Sequence, residues 1–470
     1  MDAMETLLLL PDGVGVRNFL HAAFLGPLTR DGTVHVLSTI AGGPPAAYRG
    51  RVGGRVRWGH MPPFRESGLS TFLRYSLAYA QMHWGDTQAM RYNRVAPIRG
   101  SWRHRAVHRS ARLTGRAAAS PRGIRLLDRW HCREVARLPE VGHYRRIFIE
   151  SRPSVLLCSH QRPPQILPAV VAARSLGIPT ATFISSWDNL TSKGRIAAPF
   201  DHYLVWSELM RDELLQYYPD VSPDRVYVVG TPQFDPYADE SLLVTRDEFF
   251  RSVGADPARP LMCYSGGDEG TSPDDPEYVR VLMGLVLEGQ VRGDPQVLVR
   301  PSPVDDCVRY EAVRRDFPEI LFSRPDWVHE VPGDWSRVIP LPGDVRLLAN
   351  LTRHADLNVN LASTMTLDFA IRDKPVVNVA FDLCEPPRFG VPLVEYYYRF
   401  EHYRPVVESG AARIARSPAE LAEHINAYLE NPGLDGERRR RLVALEVEPP
   451  LGSSSAKVVD ALESIARRGR

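Results

Sequence analysis

Residues 341–382, LPGDVRLLANLTRHADLNVNLASTMTLDFAIRDKPVVNVAFD, constrain the fold more than any other stretch, because they carry the periodicity of helix, strand, helix and strand in succession. Leu347, Leu348, Leu351 and His354 fall at helical spacing. Asp356 to Leu361 then alternates, which puts Leu357, Val359 and Leu361 on one face of a short strand. Small hydroxyl residues follow in Ala362-Ser363-Thr364-Met365-Thr366, where the strand gives way to a helix. Ser363 or Thr364 is placed to cap that helix and to leave free backbone N–H groups directed at an anion. Lys374-Pro375 ends the helix, and VVNVAF reads as the next buried parallel strand. An ordinary capped helix in an α/β domain accounts for the same letters equally well.

The same alternation recurs along the chain. Glu5 to Leu10 is a strand, and Asp12 to Asn18, with Gly13 and Gly15, reads as a glycine loop entering a helix that carries Phe19, Leu20, Ala23 and Phe24. That is how a Rossmann-like half begins. The loop lacks a full G-x-G-x-x-G, and no acidic residue closes a clear second strand, so it speaks for a close backbone turn near an acceptor rather than for a dinucleotide cofactor. Val34 to Ile40 is a second strand and Ser70 to Met90 a helix. Ser154 to Cys158 is a strand that turns through Ser159-His160-Gln161-Arg162-Pro163-Pro164, and Thr180 to Ile184 is another, ending in Ser185-Ser186-Trp187-Asp188-Asn189-Leu190-Thr191-Ser192-Lys193. Two polar loops therefore leave strands at their carboxyl ends, the edge where open α/β sheets bind ligands. Asp235 to Pro260 reads as a connection, and Leu261 to Ser265 opens a second half with the loop Gly266-Gly267-Asp268-Glu269-Gly270. Pro418 to Leu429 and Ala456 to Arg467 are C-terminal helices.

Composition sets the outer bounds. With 44% hydrophobic and 24% charged residues the chain is an ordinary globular protein of two or three domains. A net charge of +2 gives no general reason to expect nucleic acid. Five cysteines lie far apart without a C-x-x-C pair, which suits reduced core thiols and a cytoplasmic setting. No apolar run approaches the roughly 20 residues that span a bilayer. Between Arg91 and Arg146 there are fifteen arginines and three acids, interleaved with Trp102, His104, His108, Trp130, His131 and His143. Solvated helix faces explain this bias, since Ile124, Leu127, Trp130 and Val135 continue a buried stripe through it. Peripheral docking of 91–146 on the inner face of an anionic membrane is the competing explanation.

Three motifs resemble one family. Ser363-Thr364-(x)3-Asp368-Phe369-Ala370, followed by Asp373-Lys374-Pro375-Val376, is similar to the donor-side signature of the CDP-glycerol glycerophosphotransferase-like group and of GT-B glycosyltransferases more widely. Val297 to Pro303 (VLVRPSP) resembles that group's strand and basic-Pro-His-Pro turn, with Ser302 where a His is usual. Val226 to Pro232 (VYVVGTP) resembles the strand end that closes the N-terminal domain of these enzymes. The resemblance implies an α/β, GT-B-like fold: two Rossmann-like domains facing across a cleft, with C-terminal helices crossing back. It implies an acceptor domain over 1–240, a donor-nucleotide domain over 258–430, and packing helices over 431–470.

It also implies chemistry: transfer of a glycosyl or polyol-phosphate group from a nucleotide-sugar or CDP-polyol donor to a glycan, lipid-linked or small-molecule acceptor. Such enzymes usually need no metal, and the chain contains no D-x-D, so neither a metal nor another cofactor is expected. Donor binding is expected from Arg300, the amides of Gly266 and Gly267, Ser363 and Thr364, with Asp368 and Glu269 as sugar or ribose ligands. For the acceptor base, Asp188 and His160 are both candidates because each follows a buried strand. Trp187, Asn189 and Lys193 would surround Asp188, and Gly13, Gly15 and His21 would line the acceptor side. Two other readings remain: a UDP-sugar 2-epimerase-like enzyme, and a non-catalytic scaffold of a glycan-assembly complex at the membrane. The Ser at 302 favours glycosyl transfer over glycerophosphate transfer.

Overall fold

The structure is a computed structural model that describes residues 4–21, 23–40, 48, 54–98, 100–329 and 338–469. The chain divides into two compact units, 1–235 together with 448–470, and 236–447.

The first unit is built on a seven-stranded sheet of β1 (Thr6–Leu10), β2 (Val34–Ser38), β3 (Val56–His60), β4 (Val155–Cys158), β5 (Thr180–Phe183), β6 (His202–Val205) and β7 (Val226–Val228). All neighbours pair in parallel, in the order β3-β2-β1-β4-β5-β6-β7. Every residue of β1 and β4 is buried, which is why these strands are unbroken apolar runs rather than alternating ones. β3 is an edge strand that the sequence hides, since VRWGH is half exposed and carries an interior glycine. The last helix, Ser454–Arg468, belongs to this unit. Asp235 caps it, accepting from the Ser454 and Ser455 N–H groups at 3.0 and 2.8 Å and from the Ser455 hydroxyl. Gly230 lies where a Cβ would stand 2.5 Å from Ser454 Oγ, so the VYVVGTP glycine serves close packing under that cap.

The second unit carries β8 (Leu261–Ser265), β9 (Gln296–Arg300), β10 (Leu321–Phe322), a hairpin of β11 (Trp327–His329) and β12 (Val338–Pro340), then β13 (Leu357–Asn360), β14 (Val376–Val379) and β15 (Arg413–Ala415). Six of them form a parallel sheet in the order β10-β9-β8-β13-β14-β15. The helix Gly436–Glu446, which the sequence pattern does not announce, stays with this unit.

Three local expectations change. The expected glycine loop at Asp12 to Asn18 is helix from Gly13 to Leu20, because Asp12 Oδ1 accepts from the Val14 and Gly15 N–H groups and starts the helix at once. The Ser70 to Met90 helix is two, Gly68–Gly85 and Gln88–Val95, separated by the left-handed Asp86 and capped anew by Thr87. The arginine-rich stretch folds into Trp102–Ala117, Pro121–Val135 and Pro139–Ser151, but its buried stripe passes through His131 and leaves Trp130 48% exposed. At about 100° per residue, position 131 is aligned with 124, 127 and 135, and position 130 is not.

His131 Nε2 and the Ser70 hydroxyl are hydrogen-bonded at 3.0 Å, and burial pushes the imidazole down to about 4. The unfolded chain titrates this group near about 6.5, so protons bind the unfolded state in preference to the native one between those values. Stability from neutral His131 is present above about pH 6.5 and is lost as the pH falls to 4, about 3 kcal/mol in all. Urea denaturation at pH 7.5 and 4.5 should show this loss, and His131→Gln should flatten it.

Burial also pushes the Cys158 and Cys263 thiols up to about 12 and about 11. Both cysteines are free core residues and protonated at neutral pH, which rules them out as resting nucleophiles. Among the described residues no helix is long and apolar enough to cross a membrane, and no group of three or more His, Cys, Asp or Glu could hold a metal ion.

Candidate functional site

In each sheet the strand order reverses once, and ligands of open α/β sheets bind outside the carboxyl ends of the strands at that point. In the first unit the reversal lies between β1 and β4, whose ends carry Asp12 and His160. His160 Nδ1 donates to Asp12 Oδ2 at 2.5 Å. The carboxylate can only accept, so Nδ1 carries a proton, and Nε2 makes no hydrogen bond among the described residues. An oriented imidazole with a free Nε2 is the geometry of a general base. Asp12 does not stand out as a site residue in the sequence, although an Asp at a strand end followed by small residues is an N-cap signature.

Gly15 lets the helix approach this site. A Cβ there would stand 2.1 Å from Ser159 Oγ and 3.2 Å from the Leu10 side chain. Gly15 is therefore a close-packing residue of a helix that starts at Gly13 rather than part of a glycine loop. Gly15→Ala should cost about 1–3 kcal/mol by urea denaturation, as overpacking does, and disturb the residue next to His160. His21, the other residue expected on the acceptor side, lies at the end of the same helix. It is 9% exposed and pairs through Nε2 with the Tyr48 hydroxyl.

Asp188 lies on the next loop, after β5. Its carboxylate accepts from Ser186 Oγ at 2.6 Å, Asn189 Nδ2 at 3.0 Å and Ser192 Oγ at 2.7 Å, with Lys193 Nζ 3.7 Å away. The expected surroundings are present, and they saturate the group. Four donors already surround this carboxylate, which leaves little room for an acceptor hydroxyl and fits a positioning role. Trp187 is only 4% exposed, which excludes water from the loop but leaves little ring for an acceptor to stack on. Gln161, also buried, joins the two loops: its Nε2 donates to Asn189 Oδ1 at 2.7 Å, and its Oε1 accepts from Ser185 N–H at 3.1 Å. The residue after His160 is thus tied to the residue after Asp188. A cavity of about 630 Å³ in this unit, bordered by Arg125, Asp128, Arg195, Tyr203 and Tyr218, contains none of the candidate residues, and its Arg195 is already paired with Asp128 at 2.8 Å.

In the second unit the reversal lies between β8 and β13, whose ends carry Gly266-Gly267 and Ala362-Ser363-Thr364. Both segments stand at a ligand edge, as their sequence suggests, but their amides are not free. Gly266 N–H donates to the Arg300 carbonyl at 2.9 Å and Gly267 N–H to Asp275 Oδ2 at 2.7 Å. Ser363 N–H donates to Asn360 Oδ1 and Met365 N–H to Ser363 Oγ, while Thr366 N–H donates to the Ser363 carbonyl. Most of the expected cradle is committed internally. What remains for an anion at this turn is the Thr364 N–H, which makes no hydrogen bond among the described residues, with the half-buried side chains of Ser363 and Thr364.

Two buried networks hold these loops. Asn358, Asn360 and Asn378 are fully buried, and Asn378 Nδ2 donates to Asn360 Oδ1 at 2.9 Å while Asn360 Nδ2 donates to Asn358 Oδ1 at 2.7 Å. Asn358 and Asn360 occupy the face of β13 opposite Leu357 and Val359. Both faces of a central parallel strand are covered, so polar residues there must satisfy one another. The other network centres on Asp275, which also accepts from Tyr264 and Ser272, and on Arg309, which donates to the Gly267 and Ser272 carbonyls. Glu269 is exposed. Asp368 is buried and accepts from the Tyr237 hydroxyl, which fastens the connecting turn to the Met365–Ile371 helix instead of leaving a free ribose ligand.

Arg300, at the end of β9, is 5% exposed and donates through Nη2 to Asp344 Oδ1 at 2.8 Å. Burial alone would push the Asp344 carboxyl up. The Arg300 charge, with hydrogen bonds from Arg300, Trp327 and the Asp326 N–H, outweighs it and holds the group below the usual carboxylate range. Arg300 Nη1 is buried with no hydrogen-bond partner among the described residues. An orphaned cationic donor beside a switch point is where an anion would be bound. Ser302 is buried and supplies no titratable group.

No protein-family model and no curated protein matches the chain. Solved structures match it over nearly its whole length. A glycosyltransferase from Rickettsia africae is 11% identical, with a TM-score of 0.53 and 99% of each chain covered. A variant of the wall teichoic acid polymerase TagF is 8% identical at a TM-score of 0.53, covering all of this chain and 90% of that one. The chain has the GT-B fold. A UDP-GlcNAc 2-epimerase from Neisseria meningitidis, solved with UDP-GlcNAc bound, shares this GT-B fold at 11% identity and a TM-score of 0.50, over 98% of this chain and all of its own. Within the GT-B frame the two switch points mark the two halves, one carrying the Asp12–His160 pair and the other the Arg300, Ser363 and Thr364 set.

Proposed function

We infer that the chain is a GT-B transferase that moves a glycosyl or polyol-phosphate group from a nucleotide-activated donor to a hydroxyl of a glycan, lipid-linked or small-molecule acceptor. The observation that carries this reading is the Asp12–His160 pair, which orients a base whose Nε2 is free at the switch point of the first sheet. As the acceptor oxygen attacks, His160 Nε2 takes its proton, and Asp12 stabilises the imidazolium that forms. On the second unit, Arg300 Nη1 with the Ser363 and Thr364 hydroxyls would bind the phosphate of the nucleotide donor. A nucleotide donor is supported by the UDP-GlcNAc held in the N. meningitidis epimerase. Nothing in these roles needs a metal ion, and none is proposed.

Donor turnover with and without acceptor tests the reading. The purified chain, given nucleotide-sugar or CDP-polyol donors, should release nucleotide in quantity only when an acceptor hydroxyl is supplied. Conversion of a UDP-sugar with no acceptor present would instead identify an epimerase.

A further inference from the structure

The arginine-rich helices Trp102–Ala117 and Pro121–Val135 carry nine arginines and two acids between them. Both pack on the Gly68–Gly85 helix, through Ala111 and Gly115 on the first and through Ile124 and Leu127 on the second. The opposite faces are unusual. On the first helix Trp102 and Leu113 are 68% and 73% exposed, and on the second Leu126 and Trp130 are 46% and 48% exposed.

At about 100° per residue, Arg105, Arg109 and Arg116 fall on the outward arc of Trp102 and Leu113, and Arg122 and Arg133 on that of Leu126 and Trp130. Of the two acids, Asp128 lies on the inward side and pairs with Arg195, while Glu134, one turn after Trp130, is half-buried and turned to accept from Ser67. Arg105, Arg109, Arg122 and Arg133 make no ion pair among the described residues. In a chain with 58 basic and 56 acidic residues, a solvated face would mix the two signs. This one combines segregated positive charge with exposed Trp and Leu.

We propose that the outward faces of these two helices dock the protein on an anionic lipid surface, the arginines meeting phosphate headgroups and the Trp and Leu side chains entering the headgroup boundary. Charge alone would suit any polyanion. The exposed apolar residues decide for lipid, because nucleic acid offers nothing for Leu113 or Leu126 to bury against, whereas the acyl boundary does. Trp is also the side chain best suited to that boundary, with an apolar body and a polar N–H. The Arg103 guanidinium over the Trp102 ring, 5.4 Å from its centroid, keeps one cation beside the inserting group. This docking is independent of the transferase reading, and its test needs no donor or turnover.

The full chain is sedimented with vesicles of phosphatidylcholine alone, of phosphatidylcholine mixed with phosphatidylglycerol, and separately with transfer RNA. Two variants accompany it, one with Arg105, Arg109, Arg122 and Arg133 replaced by Gln, the other with Trp102, Leu113, Leu126 and Trp130 replaced by Ser. These side chains are at the surface, and far-ultraviolet circular dichroism checks that both variants fold. The expected result is binding to the anionic vesicles only, released by raising the salt, and weakened by about tenfold or more in each variant. The proposal is overturned by no vesicle binding, by binding that survives either set of substitutions, or by capture of RNA with vesicles ignored.

Discussion

Asp12→Asn is expected to lower kcat by about 10²–10⁴ while leaving the fold in place. The two carboxylate oxygens do different things. Asp12 Oδ1 accepts from the Val14 and Gly15 N–H groups, and Oδ2 accepts from His160 Nδ1. Asn is as good an N-cap as Asp, so its carbonyl keeps the Oδ1 position and the helix start survives. The amide nitrogen then faces the imidazole, and because it donates, His160 must accept at Nδ1 and carry its proton on Nε2. The base is then in the wrong tautomer and turned off without being removed. A purely structural Asp12 would give the reverse pattern, normal turnover per folded molecule with a lowered melting temperature. His160→Ala should match Asp12→Asn in kcat, and the double variant should be no worse than either alone, since the two act as one unit. Asp188→Ala separates the remaining candidate: a saturated positioning carboxylate predicts a smaller loss than His160→Ala, and an equal or larger loss would restore Asp188 as base.

Asp344→Ala should destabilise the second unit by about 3–5 kcal/mol, more than Gly15→Ala or the titration of His131. Arg300 would remain, 5% exposed, with Nη1 already unpartnered and Nη2 newly so. The Trp327 indole N–H would lose its acceptor as well. Replacing both partners, Arg300→Met with Asp344→Leu, removes the stranded charge and should recover most of the loss. That double variant also isolates the function of Arg300. If Nη1 meets the donor phosphate, a charge-assisted hydrogen bond is lost and nucleotide affinity falls about 10–100-fold in a protein of near-normal stability. Unchanged affinity would confine Arg300 to a structural role. Chemical denaturation and nucleotide titration of the same two samples settle both points.

The architecture is legible in the sequence because parallel strands buried on both faces announce themselves as runs such as TLLLL and VLLC, and because each strand end is punctuated by Gly, Ser or Pro. The strand-end loops at His160, Gly266 and Ser363 are therefore located by the letters, but that they flank switch points is not, because strand order leaves no local trace. Nor are the pairings across them. Asp12 and His160 are 148 positions apart, Arg300 and Asp344 are 44, and neither separation leaves a trace in local periodicity. The same gap explains the amides of Gly266 and Gly267. A glycine loop at a strand end looks open until Asp275 and Arg309 are seen to close it from the following helix and turn. His131 and Trp130 show a finer limit. The apolar letter looks like the member of the buried stripe, yet the helical angle favours its polar neighbour, and a single Ser70 hydroxyl makes that burial tolerable.

Binding of a nucleotide-activated donor by this GT-B protein is tested most directly by thermal shift of the purified chain against UDP, GDP, CDP and dTDP with their common sugar and glycerol conjugates. A ligand that binds only the native state at about 100 times its Kd adds about 2.7 kcal/mol of stability. A selective rise with one nucleotide and its conjugates is expected, retained in Asp12→Asn and His160→Ala if those residues serve the acceptor as proposed. No rise with any of them would contradict a donor site on this chain.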